Sequence, residues 1–319
     1  MHKIIDHNIL QDTLNKISLG KPQTQGKICI YPLFIKDQFH LFVTMKDALE
    51  NNLLEISELN DNGSVPHLNV FNKGNNPVLL MDGEELLGAK QNRVLNTSIL
   101  VPGKSKIIIP VSCTEEGRWN YKSHNLYDSD EMMNYENRID KNRSVRKSLI
   151  REQKYSSDQT TVWQNIEKLA FRKKIRSETG AMKDIYENNR GELDLFIREF
   201  PTVPNQNGIL VLYENRVLGV ELIGSNKAYP DYHSKLLRSF IIGFDNLELR
   251  KPQKLSHDSI ERAVFYFIEE IKNSTLDSYK SIGLGVDYRL HQKNILGSSL
   301  NYNSFLIHAV VFTDNFIRK

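Results

Sequence analysis

Cysteine is scarce in this sequence, with Cys29 and Cys113 the only two among 319 residues, too few for a disulfide framework. Reduced thiols fit the cytoplasmic location expected from Met1-His2-Lys3-Ile4-Ile5-Asp6, which does not read as a signal peptide. No run of eighteen apolar residues occurs, so no stretch has the pattern of a membrane-spanning helix. The formal charge is only +3, and composition gives no reason to expect nucleic acid or a membrane surface as partner. Glycine-rich dinucleotide and P-loop fingerprints, Cys-x-x-Cys and His-Glu-x-x-His are all missing. Histidine is absent from Leu68 to Ser123, which argues against a metal-binding cupin or any His-based metal site there. No internal repeat and no low-complexity tract is present.

What the chain does carry is 39% hydrophobic and 25% charged residues, enough for one large or two modest domains with ample core. A short helix over Ile9 to Ile17 is followed by paired strands, Lys27 to Ile35 and Phe39 to Thr44, then a helix from Met45 to Asn51. Strands at Leu53 to Glu58, Val65 to Phe71, Pro77 to Met81, Ala89 to Val101 and Lys106 to Val111 complete a first lobe. The fold class expected is α+β: an antiparallel β-rich lobe over 1–121 forming a sandwich or small barrel, a helical insert over 122–204, and an α+β lobe over 205–319. Tyr127 to Arg143 lacks an apolar face and reads as a surface excursion or flexible lid. Helices follow near Ser157 to Ala170 and Met182 to Phe200. The hairpin Gly208 to Tyr213 with Val217 to Ile223 is the clearest in the sequence. Helices at Tyr232 to Phe244 and Ser259 to Lys272 precede strands near Tyr279 to Leu290, Lys293 to Ser299 and Phe305 to Phe312.

The chemistry concentrates between Asn76 and Asn120. Period-2 alternation across Ala89 to Val101 turns Gln91 and Arg93 to the same side as Leu95, Ile99 and Val101. An inward arginine must be paired or line a cleft, because an isolated buried charge costs several kcal/mol or more. Glu84, Glu85 and Glu115 are the nearest acids. With Lys90, Arg93 and Arg118 they could form a pocket in which guanidinium groups clamp a phosphate and a carboxylate activates water or holds a sugar hydroxyl. The same residues could equally be a ladder that ties strands together. Trp119 and Tyr121 suit either base stacking or core closure. Cys113 reads as a buried inert thiol rather than a nucleophile. The basic run Arg172 to Arg176 could bind a phosphate, but a solvated run complementing the helix C-terminus is the reading favoured. His308 alternates with Leu306 and Val310, placing its imidazole on an apolar face.

The strings Gly83 to Arg93 (GEELLGAKQNR), Leu100 to Cys113 and Glu115 to Trp119 resemble a prokaryotic domain family named for its gene association with ADP-ribosylglycohydrolases and rhodanese-phosphatases. Further pieces that resemble it are Val162-Trp163-Gln164, Glu178-Thr179-Gly180-Ala181, Val217 to Val220, Gly297 to Leu300, and His308 four residues before Phe312. Thr114 departs from the more apolar residue usual after the serine-cysteine pair. The resemblance implies nucleotide, NAD or ADP-ribose metabolism and no particular reaction. Arg289 and His308 join the candidate residues only through it. The expectation is an enzyme acting on a phosphate-bearing nucleotide or ADP-ribose-related compound. Glu84 or Glu115 would serve as acid or base, Lys90, Arg93 and Arg118 as anion ligands, and Gln91 and Asn96 would orient sugar or base. Glu85, Trp119, Arg289 and His308 would complete the site. No cofactor is called for, although Mg²⁺ could enter with a substrate phosphate. The alternative is a non-catalytic module that binds such a ligand or a partner protein; the oligomeric state is open.

Overall fold

A computed structural model describes residues 9–60, 63–244 and 257–314. The chain opens with α1 (Ile9–Asn15), β1 (Ser18–Leu19), β2 (Gln23–Gln25) and β3 (Ile28–Phe34). β4 (Val43–Thr44) runs directly into α2 (Met45–Glu50), whose first turn is capped by the Thr44 hydroxyl accepting from Asp47 N at 3.1 Å. Eight strands follow: β5 (Leu54–Ser57), β6 (His67–Asn72), β7 (Val78–Leu80), β8 (Glu84–Gly88), β9 (Arg93–Leu95), β10 (Ile99–Val101), β11 (Ser105–Cys113) and β12 (Asn125–Met132). Helices α3 (Tyr135–Glu152), α4 (Gln159–Arg172) and α5 (Met182–Ile197) precede the hairpin of β13 (Gly208–Tyr213) and β14 (Arg216–Ile223). The remainder is α6 (Tyr229–Ile241), α7 (His257–Lys272), β15 (Thr275–Lys280), β16 (Val286–Gln292), β17 (Ile295–Tyr302) and β18 (Phe305–Thr313).

The α+β class holds, and of the two forms expected for the early strands the barrel is the one adopted. β11, β6, β5, β12, β8 and β9 close a six-stranded antiparallel barrel. Its interior is aliphatic, built from Ile56, Leu68, Val70, Leu86, Leu95, Ile109 and Val111. At roughly 1.5–3 kcal/mol for each fully buried large aliphatic, this is the barrel's main cohesion. Closure also removes the sheet edges. The second sheet runs β1-β3-β13-β14-β18-β17-β16-β15, with β2 paired to β3. One face is covered by α1 and α7 through Leu10, Leu14, Ile260, Val264 and Phe267. The other faces the barrel across α3 to α6. Strands from both ends of the chain interleave: β3 lies in the large sheet, and β12, beyond residue 121, closes the barrel.

Three local expectations are corrected. Ala89 to Val101 is not one strand: β9 belongs to the barrel and β10 to a three-stranded sheet with β7 and β4, across a bend at Asn96–Ser98. Every residue from Gln91 to Val101 is buried, so alternation there does not separate an inner from an outer face. Phe39 to Thr44 is not the partner of β3; only Val43–Thr44 is a strand, and it pairs parallel with β7. Tyr127 to Arg143 is neither a loop nor a lid. It contributes most of β12 and the first half of α3, an eighteen-residue helix wedged between barrel and sheet with Arg138, Lys141 and Asn142 buried.

Candidate functional site

β8 alternates its two carboxylates to opposite sides, and each finds a different environment. Glu84 turns toward α6: Oε1 accepts from Lys235 Nζ at 2.8 Å and Oε2 from Met81 N at 2.7 Å. Lys235 also reaches Asp128 at 2.6 Å, so Glu84 belongs to a buried ion-pair network. Glu85 turns toward the N-terminal end of α5. Its Oε1 accepts from Thr114 Oγ1 at 2.7 Å, while Oε2 is buried with no partner. Burial pushes the Glu85 carboxyl up to about 8, only partly opposed by the Thr114 hydrogen bond and the Lys183 charge.

Glu115 follows β11 and has the opposite character. Oε2 accepts from Arg118 Nε at 2.8 Å and from Asn92 N at 3.3 Å; Oε1 accepts from Thr179 Oγ1 at 2.9 Å and faces Lys122 at 3.9 Å. Burial alone would raise it, but the hydrogen bonds from Arg118 and Thr179 and the charges of Arg118 and Lys122 prevail and hold it below the usual carboxylate range. Arg118 is spent on this scaffold, donating also to Ala89 O and Asn120 O at 2.7 Å and to Asn92 Oδ1 at 3.1 Å.

The turn before α5 docks against this corner. Gly117 N donates to Thr179 O at 2.8 Å and Met182 N to Thr114 O at 2.9 Å. Between turn and barrel lies an open pocket of about 460 Å³, lined by Glu115, Lys122 and Tyr127 from the barrel side and, from the helical side, by Arg176 and Lys183 together with the carboxylates Glu178, Asp184 and Glu187. Gly88 is required here: φ is +116°, and a Cβ would sit 2.3 Å from Ser123 Oγ and 2.9 Å from Asn125 O. Arg176 is exposed on the pocket wall and makes no ion pair among the described residues. Lys183 donates to Ser129 O at 2.8 Å. A larger cavity of about 670 Å³ lies on the α3–α4 face, where Arg143 pairs with Asp140 and Asp314 and Arg172 with Glu136, and where Glu167 and Lys168 also line the wall.

The other candidate residues do not gather in this pocket. Gln91 Nε2 donates to Glu115 O at 2.8 Å and braces its backbone. Arg93 is fully buried beside Glu58 at 3.5 Å, with its guanidinium 5.7 Å from the Trp119 ring centre. Lys90 lies over both Trp119 and Tyr121, at 5.4 and 5.1 Å from the ring centres, so Trp119 is part of a cation–aromatic stack. Asn96 bonds Tyr155 O and Ser112 Oγ. Arg289 pairs with Asp287 at 2.7 Å and donates to Thr97 Oγ1 at 2.6 Å.

His308 lies between Ser98 Oγ, 2.8 Å from Nδ1, and Glu221 Oε1, 2.9 Å from Nε2. Arg138 clamps Glu221 with two hydrogen bonds, at 2.9 and 2.6 Å. Burial works against the Glu221 charge, but Arg138 and His308 outweigh it and keep the carboxyl low. A serine, a histidine and a carboxylate in sequence is also the order of a hydrolytic triad. Here Ser98 Oγ already accepts from Asp82 N at 2.9 Å, all three residues are buried, and neither cavity described above is lined by Ser98. The trio braces the barrel against the large sheet. Among the described residues no group of three His, Cys, Asp or Glu is placed to hold a metal ion.

Residues 16–312, nearly the whole chain, match the model of the ARG and Rhodanese-Phosphatase-superfamily-associated Protein domain, ARPP-1. The chain belongs to this family. No curated protein and no solved structure matches it. All the ARPP-1-like strings read from the sequence fall inside the matched span. They are scattered along the chain, yet Glu115 to Trp119 and the Glu178–Ala181 turn meet at the mouth pocket. Lys122 and Lys183 were missed by sequence reasoning. Arg176 ends the basic run weighed as a phosphate binder and read as solvated, and the docking of the Thr179 turn puts it on the wall of the pocket that Glu115 lines.

Proposed function

We propose that this ARPP-1 chain acts on a phosphate-bearing nucleotide or ADP-ribose-related small molecule held at the barrel mouth. The observation that carries the reading is an ionised, pocket-lining Glu115 in a wall of mixed charge, where Lys122 and Arg176 offer cations to a phosphate and Glu178, Asp184 and Glu187 offer acceptors to sugar hydroxyls. The family name points the same way, through its ARG association. Arg118 holds Glu115 in place and is assigned no contact with the ligand.

A second reading, a non-catalytic binding module, is favoured by one feature: both Glu115 oxygens already accept hydrogen bonds from the protein. Thermal shift against ADP-ribose, NAD, nucleotides and sugar phosphates, with and without Mg²⁺, tests the site, since a ligand of the native state raises the midpoint by mass action. The pocket reading expects a shift that Arg176→Met weakens; no shift with any phosphate compound sinks it. Glu115→Gln then separates the two readings. Turnover lost with binding retained identifies a catalytic carboxylate, whereas parallel loss of binding and output identifies a module.

A further inference from the structure

The large sheet ends on one side at β15, and this edge differs from every other strand edge among the described residues. The barrel has no edge, because its strands close. β1 and β2, at the opposite side of the large sheet, are two and three residues long. In the three-stranded sheet β4 has only two residues, and β10 is bridged to Leu284, whose N–H donates to Leu100 O at 2.8 Å. Short or covered edges are the usual protection against pairing with another chain. β15 has neither. Its six residues pair with β16 in unbroken register, none of them is buried, and no described strand lies along its outer side.

The edge runs into a cavity. Tyr279 and Lys280, the last residues of β15, line a space of about 570 Å³ that Ile108 of β11 and Lys154, just beyond α3, also wall. Tyr155 Oη donates to Lys280 O at 3.0 Å and fixes the end of the strand there. Ile108, 54% exposed, gives the cavity an aliphatic side. The mouth pocket and the α3–α4 cavity both set carboxylates among their cations, whereas this lining has Lys154, Lys280 and His67 and no carboxylate. Lys280 makes no ion pair among the described residues, and Lys154 meets only the exposed Glu152, at 3.3 Å.

We infer that β15 is a docking edge for an extended, acidic segment of a partner protein. The segment adds as a further strand of the large sheet, with its carboxylates received by Lys154 and Lys280 where β15 ends and an aliphatic side chain laid on Ile108. Main-chain pairing accepts almost any sequence, so the acid-free cavity supplies the selectivity. A second copy of this chain fits less well: its β15 would bring one aspartate, Asp277, already held by Arg146 at 2.9 Å, and a lysine of the cavity's own sign. A free small anion would use the lysines and leave the strand edge open.

The test is fluorescence anisotropy of the full chain with labelled peptides of alternating valine and glutamate, of alternating valine and lysine, and of valine and glutamate with alternate backbone amides methylated. The glutamate peptide should bind about tenfold or more tighter than the lysine peptide, an advantage that added salt removes. Methylation, which deletes the edge hydrogen bonds, should abolish its binding. Lys154→Glu/Lys280→Glu changes two exposed side chains, leaves the fold intact, and should weaken the glutamate peptide about tenfold. No binding by any peptide, equal binding of the glutamate and lysine peptides, or an affinity unchanged in the variant overturns the inference. Binding that survives methylation and is displaced by inorganic phosphate also overturns it and leaves an anion site only. A chain that is dimeric by light scattering and binds no peptide puts a second copy on the edge instead.

Discussion

Replacing Glu85 by glutamine isolates one buried carboxyl as a function of pH. In the native state burial lifts this group from an ordinary 4.5 to about 8, whereas in the unfolded chain it titrates normally. Below pH 4.5 it is protonated in both states and has no effect on the difference between them. As pH rises, the unfolded state releases the proton and the native state does not, so native stability is lost. The loss accumulates until the native group also ionises near pH 8 and is constant above that. Each pH unit in that interval is worth about 1.4 kcal/mol, which brings the full effect to about 5 kcal/mol as an upper figure. Glutamine keeps an acceptor for the Thr114 hydroxyl and cannot ionise. Urea midpoints followed by tryptophan fluorescence should therefore coincide for wild type and Glu85→Gln at pH 4.5 and diverge steadily, with the variant the more stable by several kcal/mol at pH 8.5. Other carboxylates titrate alike in both proteins and cancel. Parallel curves over that range would show that Glu85 is not held protonated.

Two further outcomes follow from buried groups. Arg138→Met leaves the buried Glu221 carboxylate with only His308 beside it and should lower stability by about 3–5 kcal/mol, with Arg138→Met/Glu221→Met recovering part of it; a single-variant loss under about 1 kcal/mol in urea melts would contradict the brace. Cys113 is fully buried with its thiol pushed up to about 11 by burial, and Cys29 is raised by burial as well. Intact-mass measurement after iodoacetamide at pH 8 should find native protein unmodified and urea-unfolded protein alkylated twice; modification of the native protein would show that the thiols are reachable.

Elements whose buried face is apolar were legible in the sequence. The β13–β14 hairpin shows alternation around Glu214 and Asn215, which adopt φ of 47° and 66° as its turn requires. α4 shows Val162, Ile166 and Leu169 at helical spacing behind an Asp158 cap. α3 was illegible for the converse reason. Its buried positions include Asn137, Arg138, Lys141 and Asn142, so a hydrophobic-periodicity reading sees a solvated loop where the molecule has a helix in its interior. Of the candidate site residues, Glu115 lies on a pocket wall, while Arg118 and Arg93, chosen as anion ligands, bond Glu115 and Glu58 of the fold itself, and the pocket's helical wall left no signal in the stretch where the chemistry was sought. Nothing in local pattern distinguishes an arginine that meets a ligand from one that meets a glutamate, because both need the same inward face.

The interleaving of the two ends of the chain bears on how the protein is made. β3 is apolar on both faces, and its neighbour β13 is synthesised roughly 170 residues later. At ordinary elongation rates of about 5–20 residues per second, that interval is on the order of ten to thirty seconds on the ribosome. The barrel strands, whose partners lie close by in sequence, can pair during this time, while Ile28-Cys29-Ile30-Tyr31-Pro32-Leu33-Phe34 waits without its eventual neighbour. Until the β13–β14 hairpin emerges, β3 therefore has β1 and β2 along one edge and an open edge on the other, the kind of unpaired apolar strand that is prone to aggregation during synthesis.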